Sequence, residues 1–177
     1  SISPSQSPSA SISPSISPSI SPSISHSISP SISPSPSPGW TDYTRGDEIE
    51  LPGDNDTDLE ILYTAQDVID VSADDTDRVG QTANSQYAIH QFKDYVTGLV
   101  NITLETKVRS NLAPSTSIVK LQIYNRTTTT WVDVDTDNVT GVDTEFILTG
   151  NITAANLNAD YMNPSNVISC RVWQLSQ

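Results

Sequence analysis

Serine occupies every odd position from Ser1 to Ser37, and Ile or Pro fills nearly every even position between them. The unit is Ser-Ile-Ser-Pro, written plainly at Ser11–Pro14. A hydroxyl at every second residue is attachment chemistry, because dense Ser with Pro is the composition of O-glycosylated stalks. The candidate attachment points are Ser11, Ser13, Ser15, Ser17, Ser19, Ser21, Ser29, Ser31 and Ser33. Residues 1–38 contain no Lys, Arg, Asp, Glu, Phe, Tyr or Trp. Such a segment cannot bury enough apolar surface to offset the entropy of ordering. It holds a fixed shape only through something attached to it or packed around it.

Further along, Asp54-Asn55-Asp56-Thr57-Asp58-Leu59-Glu60 alternates oxygen donors. Hard cations take several carboxylates at close quarters, so Asp54, Asp56, Asp58 and Glu60 form a candidate calcium set. The run is not an EF-hand: the glycine of that loop is missing, and Ala65 stands at its twelfth position. A solvated acidic loop is the competing reading. Asp74-Asp75-Thr76-Asp77 and Asp133-Val134-Asp135-Thr136-Asp137 are weaker versions of the same pattern. Calcium is the one candidate cofactor. Five Asn-x-Ser/Thr sequons, at Asn55, Asn101, Asn125, Asn138 and Asn151, are candidate N-glycosylation sites. Trp131 and Trp173 are candidate sugar-stacking rings, against the plainer reading of core or edge packing. Trp40 is a third ring of the same kind.

Catalytic patterns are missing from the chain. One of the two histidines, His26, lies in the repeat, and the other, His90, reads as a satisfied polar residue on a strand. There is no Gly-x-Ser-x-Gly elbow and no metal-spaced His/Cys set. The expectation is a protein that is not an enzyme. The net charge of -13 falls entirely after Gly39, and a domain that acidic repels nucleic acid and anionic membrane. No run approaches the ~20 apolar residues of a membrane span. A single cysteine, Cys170, excludes an intrachain disulfide, and its place in an apolar alternating run reads as a buried thiol.

Two segments must position these groups: a low-complexity repeat over residues 1–39 and an acidic domain over 40–177. The dense prolines, mostly four residues apart in a repeat broken at Gln6, Ala10 and His26, favour polyproline II, which would carry 38 residues over about 120 Å. A second geometry stays open. All prolines sit at even positions, so as a β-strand the tract keeps one edge fully able to pair. Ser23–Ser29, which lacks proline, is then the best strand to add to another subunit's sheet.

After Trp40 the period is two, with turns rich in Asn, Asp, Gly and Thr. Alternation predicts strands over 68–72, 86–92, 99–108, 117–124, 131–135, 144–149 and 166–175. Val119, Leu121 and Ile123 face inward, as do Phe146 with Leu148 and Ile168 with Cys170 and Val172. Asn125–Thr129 reads as a hairpin loop, with Trp131 on the outward face beyond it. The expected fold is all-β: a jelly-roll or immunoglobulin-like sandwich of seven or eight antiparallel strands, behind an extended repeat.

The order Leu-Gln-Ile-Tyr-Asn at 121–125, a short loop, Trp-Val at 131–132 and Ser-Cys-Arg-Val at 169–172 resembles galactose-binding-like jelly-roll domains. That resemblance, over roughly residues 60–175, implies an extracellular sandwich used for carbohydrate binding or as a structural module. The tetrapeptide repeat resembles glycan-coated extracellular fibrils and mucin-like or extensin-like stalks. It implies that hydroxylated proline can also carry sugar, here Pro14, Pro18, Pro22, Pro30 and Pro34. Two functions follow as expectations. One is a structural subunit of an extracellular fibre, partnered by copies of itself and by covalent glycans. The other is a cell-surface or virion adhesin whose sandwich binds sugar, with or without calcium, on a passive stalk.

Overall fold

The computed structural model describes residues 43–55, 58–72 and 77–177. The serine and proline attachment candidates, the Ser23–Ser29 strand candidate, Trp40, Asp56, Asp74 and Asp75 lie outside the described residues. Among those described, eight strands form two antiparallel sheets stacked as a sandwich. The strands are β1 Tyr43–Glu48, β2 Ile61–Leu62, β3 Tyr87–Tyr95, β4 Ile102–Arg109, β5 Val119–Asn125, β6 Thr130–Asp137, β7 Glu145–Ile152 and β8 Val167–Leu175. The large sheet runs β2-β1-β3-β8-β5-β6, and β4 pairs with β7 in the small one. The fold is all-β, as the period-two pattern requires.

The core lies between the layers. Ile123, Ile168, Cys170, Val96 and Leu157 form one cluster, and Val119, Leu121, Val172, Phe146 and Leu148 form the other. Leu157 enters from a short helical segment between β7 and β8, α-helical over Ala154–Asn156 and π-helical over Leu157–Tyr161. Thr153 caps that segment, its side chain accepting from the Asn156 amide. The layers close tightly where β6 crosses β7: a Cβ at Gly150 would stand 2.3 Å from Val134 Cγ1, so only glycine fits there. Cys170 is a free, buried thiol, and burial pushes its pKa well up.

One expected strand is a helix. Residues 65–72 form α1, Ala65–Ser72, instead of a strand over 68–72. Thr64 and Asp67 explain it. The Thr64 hydroxyl accepts from the Asp67 amide at 3.1 Å, and the Asp67 carboxylate accepts from the Thr64 amide at 2.8 Å. This reciprocal capping nucleates the first turn, and Gln66 donating to Asp70 one turn later adds to it. Those local bonds outweigh the β preference of Val68, Ile69 and Val71, which here stay partly exposed. The strand expected from residue 99 starts at Ile102, leaving Leu99 and Val100 exposed.

Candidate functional site

The outer face of the large sheet is built from the residues that alternate with the core. Strand register sets Gln91, Arg171, Gln122 and Asp133 in one row across β3, β8, β5 and β6. From Arg171 to Asp133 the row is hydrogen-bonded. Arg171 Nε donates to Gln122 Oε1 at 2.8 Å, and Trp173 Nε1 donates to the same oxygen at 2.9 Å. Gln122 Nε2 donates to Asp133 Oδ1 at 2.6 Å, and Lys120 Nζ to Asp133 Oδ2 at 2.5 Å. The Arg171 guanidinium lies 4.2 Å from the centre of the Trp131 ring. A desolvated cation–π contact of this kind contributes on the order of 2 kcal/mol.

Arg171 is 3% exposed. Burial brings its pKa down to about 10, against the pull of the Asp133 carboxylate. Burial would raise Asp133, but hydrogen bonds from Lys120 and Gln122, with the charges of Lys120 and Arg171, hold its carboxyl below the usual range.

The two candidate stacking tryptophans therefore share a face. Each ring is already engaged: Trp131 carries Arg171 over it and meets Tyr124 edge-on at 5.2 Å. Trp173 meets Tyr87 edge-on at 5.3 Å, with Lys120 Nζ 5.9 Å from its centre. Chemically, this face is a set of donors and acceptors matched to one another, open to solvent at Lys120 and Asp133.

The described residues of the acidic run lie between β1 and β2, in a segment that straps across the same face. Pro52 O accepts from Arg171 Nη1 at 2.7 Å, and Asp54 O accepts from Trp131 Nε1 at 3.2 Å. Asn55 Nδ2 donates to Ser169 Oγ at 2.8 Å, and Lys93 Nζ donates to Asp58 Oδ1 at 2.7 Å. Leu59 packs under the strap, 5% exposed, and a Cβ at Gly46 would sit 3.2 Å from its own Cβ. Of the candidate calcium ligands, Asp58 is paired with Lys93, Asp54 bonds through its carbonyl, and Glu60 is exposed. Among the described residues no group of three or more His, Cys, Asp or Glu side chains gathers.

In the second acidic run, Asp133 sits in the row described. Asp135 accepts from the Thr149 amide, and Asp137 caps the turn through Val139 and Thr140.

The sequons separate by burial. Asn101, Asn138 and Asn151 are exposed. Asn125 is half-buried, its Oδ1 accepting from the amides of Thr127 and Thr128 in the hairpin turn. Asn55 is 4% exposed, which leaves no room for a glycan on its amide in the folded domain.

A second concavity lies on the inner face. The small sheet covers only part of the large one, and beyond β4 a cleft of about 1020 Å³ opens over β1 and β3. Tyr43, Tyr63, His90, Phe92 and Asp94 contribute to its lining. Tyr43 Oη donates to Asp94 Oδ1 at 2.5 Å, and Tyr63 Oη shares a hydrogen bond with His90 Nδ1 at 2.5 Å. Burial, with the nearby Arg45 charge, brings the His90 pKa down to about 4. Burial raises Asp94, opposed by the bond from Tyr43. His90 is thus a hydrogen-bonded strand residue, as its sequence position suggests.

Sequence reasoning passed over Arg171, Gln122, Lys93 and Ser169. The usable signal was their position, alternate to inward Val119, Leu121, Ile123, Ile168, Cys170 and Val172. Among the described residues, no helix is long and apolar enough to cross a membrane. No family model matches the chain, and searches of curated proteins and of solved structures find no match.

Proposed function

We propose that this chain is a structural subunit of an extracellular, glycan-decorated fibre. The Ser/Pro segment is a sugar-bearing rod or connector, and the sandwich is its node or head. The observation that carries this reading is the unbroken serine period from Ser1 to Ser37. A hydroxyl at every second position, without charge or aromatic packing, suits a scaffold for covalent sugar and little else. The sandwich supports the same reading. Its outer polar groups satisfy one another, as in a module built to be rigid. Peptide-level mass spectrometry of native material tests it. Hexose- or pentose-sized additions on residues 1–38 are expected, and a bare segment overturns the glycan part.

One observation favours a second reading, a carbohydrate-binding adhesin head. Trp131 and Trp173 lie on one face, with Lys120 and Asp133 at its solvent side. Calcium assistance there would require the ion to compete with the Lys93 ammonium for Asp58. Glycan-array binding by the full chain, lost in Trp173→Ala and Trp131→Ala, would establish this reading. Absence of binding would leave the node.

A further inference from the structure

We infer that Ser23–Ser29 of one copy adds as a strand to the open edge of β4 in a second copy, laying Ile24 and Ile28 into the cleft over β1 and β3. The strand exchange rests on the fibre reading for its second copy, but not on the sugar. The small sheet has two strands against six in the large one. Among the described residues, β4 pairs with β7 alone. Leu104 to Arg109, an unbroken run of β4, line the cleft. A strand bordering a space with one face alone contributes every second residue. An unbroken run means that the edge of β4, with its backbone groups, borders the space. The floor of the cleft is aromatic. Tyr43 and Tyr63 stand edge-on to Phe92, with ring centres 5.0 and 5.9 Å from it. Leu104 and Val108, only partly buried, form the wall on the β4 side. An open strand edge beside an apolar floor is the setting that strand addition completes.

The repeat has the matching pattern. In an extended chain, successive residues turn both their side chains and their backbone groups to opposite sides. The odd-numbered serines keep every N–H on one edge, and the even positions put Ile24, His26 and Ile28 on one face. For one of the two strand directions, pairing the serine edge with β4 turns that face into the cleft. The serines then face solvent, where attached sugar has room. Ser23–Ser29 contains no proline, and at ~3.4 Å per residue it runs about 24 Å, against about 27 Å for β4. Pro22 and Pro30, which bracket it, remove donors only from the far edge, so addition stops at one strand. The donor is a neighbour for two reasons. Pro30, Pro34, Pro36 and Pro38 stand between the segment and β1, a composition that favours a stiff, extended lead over folding back. The net charge of -13 lies after Gly39, so two sandwiches repel, and the uncharged tract is the part of a neighbour that approaches freely. Each copy gives one strand and takes one, a head-to-tail contact that propagates as a filament.

The test uses the full chain, produced unglycosylated. Copies carrying Ser23→Cys, Ser25→Cys or Ser27→Cys are each mixed with copies carrying Glu105→Cys, an exposed position on β4, and oxidised gently. At least one mixture should give a disulfide-linked pair, one chain of each kind, with peptide mass spectrometry placing the bridge at residue 105. Copies carrying Thr136→Cys, exposed on the edge strand β6, should give none. Sedimentation supplies a second readout, with substitutions that leave the sandwich untouched. The wild-type chain should form larger species as concentration rises. Ser25→Pro removes a donor from the pairing edge and should weaken association roughly tenfold or more. His26→Pro removes one from the far edge only and should still assemble. No bridge to residue 105, a bridge to Thr136→Cys instead, a bridge formed within one dilute chain carrying both cysteines, or equal loss from the two prolines would each overturn the inference and leave the fibre reading standing. A chain that stays monomeric at every concentration also overturns it, and sugar on native residues 1–38 then judges the fibre reading separately.

Discussion

On β8, Ile168, Cys170 and Val172 point into the sandwich, while Ser169, Arg171 and Trp173 point outward from the same strand. The first set is held by burial, about 1.5–3 kcal/mol for each large apolar side chain removed from water, and that force has no direction. The second is held by hydrogen bonds worth a net ~1 kcal/mol apiece, whose larger effect is the cost of leaving a partner unmade. Each face therefore answers to substitution in its own way. The inner face should lose stability in proportion to the volume removed. The outer face should lose it when one member of a pair goes, and recover much of it when both go together.

Four experiments probe the contrast between the faces, in order of expected effect. Leu148 is 1% exposed, between the sheets. Leu148→Ala should cost about 2–5 kcal/mol in urea unfolding, the largest single effect expected.

The next effect depends on pH and belongs to His90. Its pKa is lowered in the fold to about 4 from 6.5, so the unfolded chain binds the extra proton first. Stability from this group is complete above pH 6.5 and is lost as pH falls toward 4, by up to ~3 kcal/mol. Asp94 works in the opposite sense. Its raised pKa makes the native state bind the proton first, so its contribution is lost as pH rises above its unfolded value. Denaturation midpoints against pH should therefore flatten in His90→Gln and steepen in Asp94→Asn.

Third, Arg171→Met leaves Gln122 and the Pro52 carbonyl short of a donor and should cost about 2 kcal/mol. The double change with Gln122→Leu should cost less than the sum of the two singles, by ~1 kcal/mol or more. Additive losses would mean that the row is not a coupled unit. Last, Asp133 sits at the solvent edge. Asp133→Asn should change stability by less than about 1 kcal/mol, and less again in high salt.

The inner face was legible in the sequence because burial leaves a period. Val119, Leu121 and Ile123 alternate with Lys120 and Gln122, and the structure keeps that division. The outer network was not legible, because Arg171 and Gln122 are far apart in the chain and only strand register makes them neighbours. α1 was misread because alternation at Val68–Ser72 was weighed without the Thr64–Asp67 cap just before it. β1 was missed for a related reason: Thr44-Arg45-Gly46-Asp47 has little apolar alternation, yet it pairs with β3 over six residues. Asp54–Glu60 reads as a cation loop or a solvated one. In the fold its described residues belong to a strap, because Trp131 donates to the Asp54 carbonyl and Lys93 to the Asp58 carboxylate, while Arg171 holds Pro52 just before them, all three distant in sequence.

The proposed division of labour puts covalent sugar on the first 38 residues and makes the sandwich, its outer polar row satisfied internally, the node. Electron cryo-microscopy of the native assembly tests it most directly. The account predicts side-chain-linked density repeating along residues 1–38, with none seated on Trp131 or Trp173. A bare, rigid segment beside a sugar-occupied tryptophan face would contradict it.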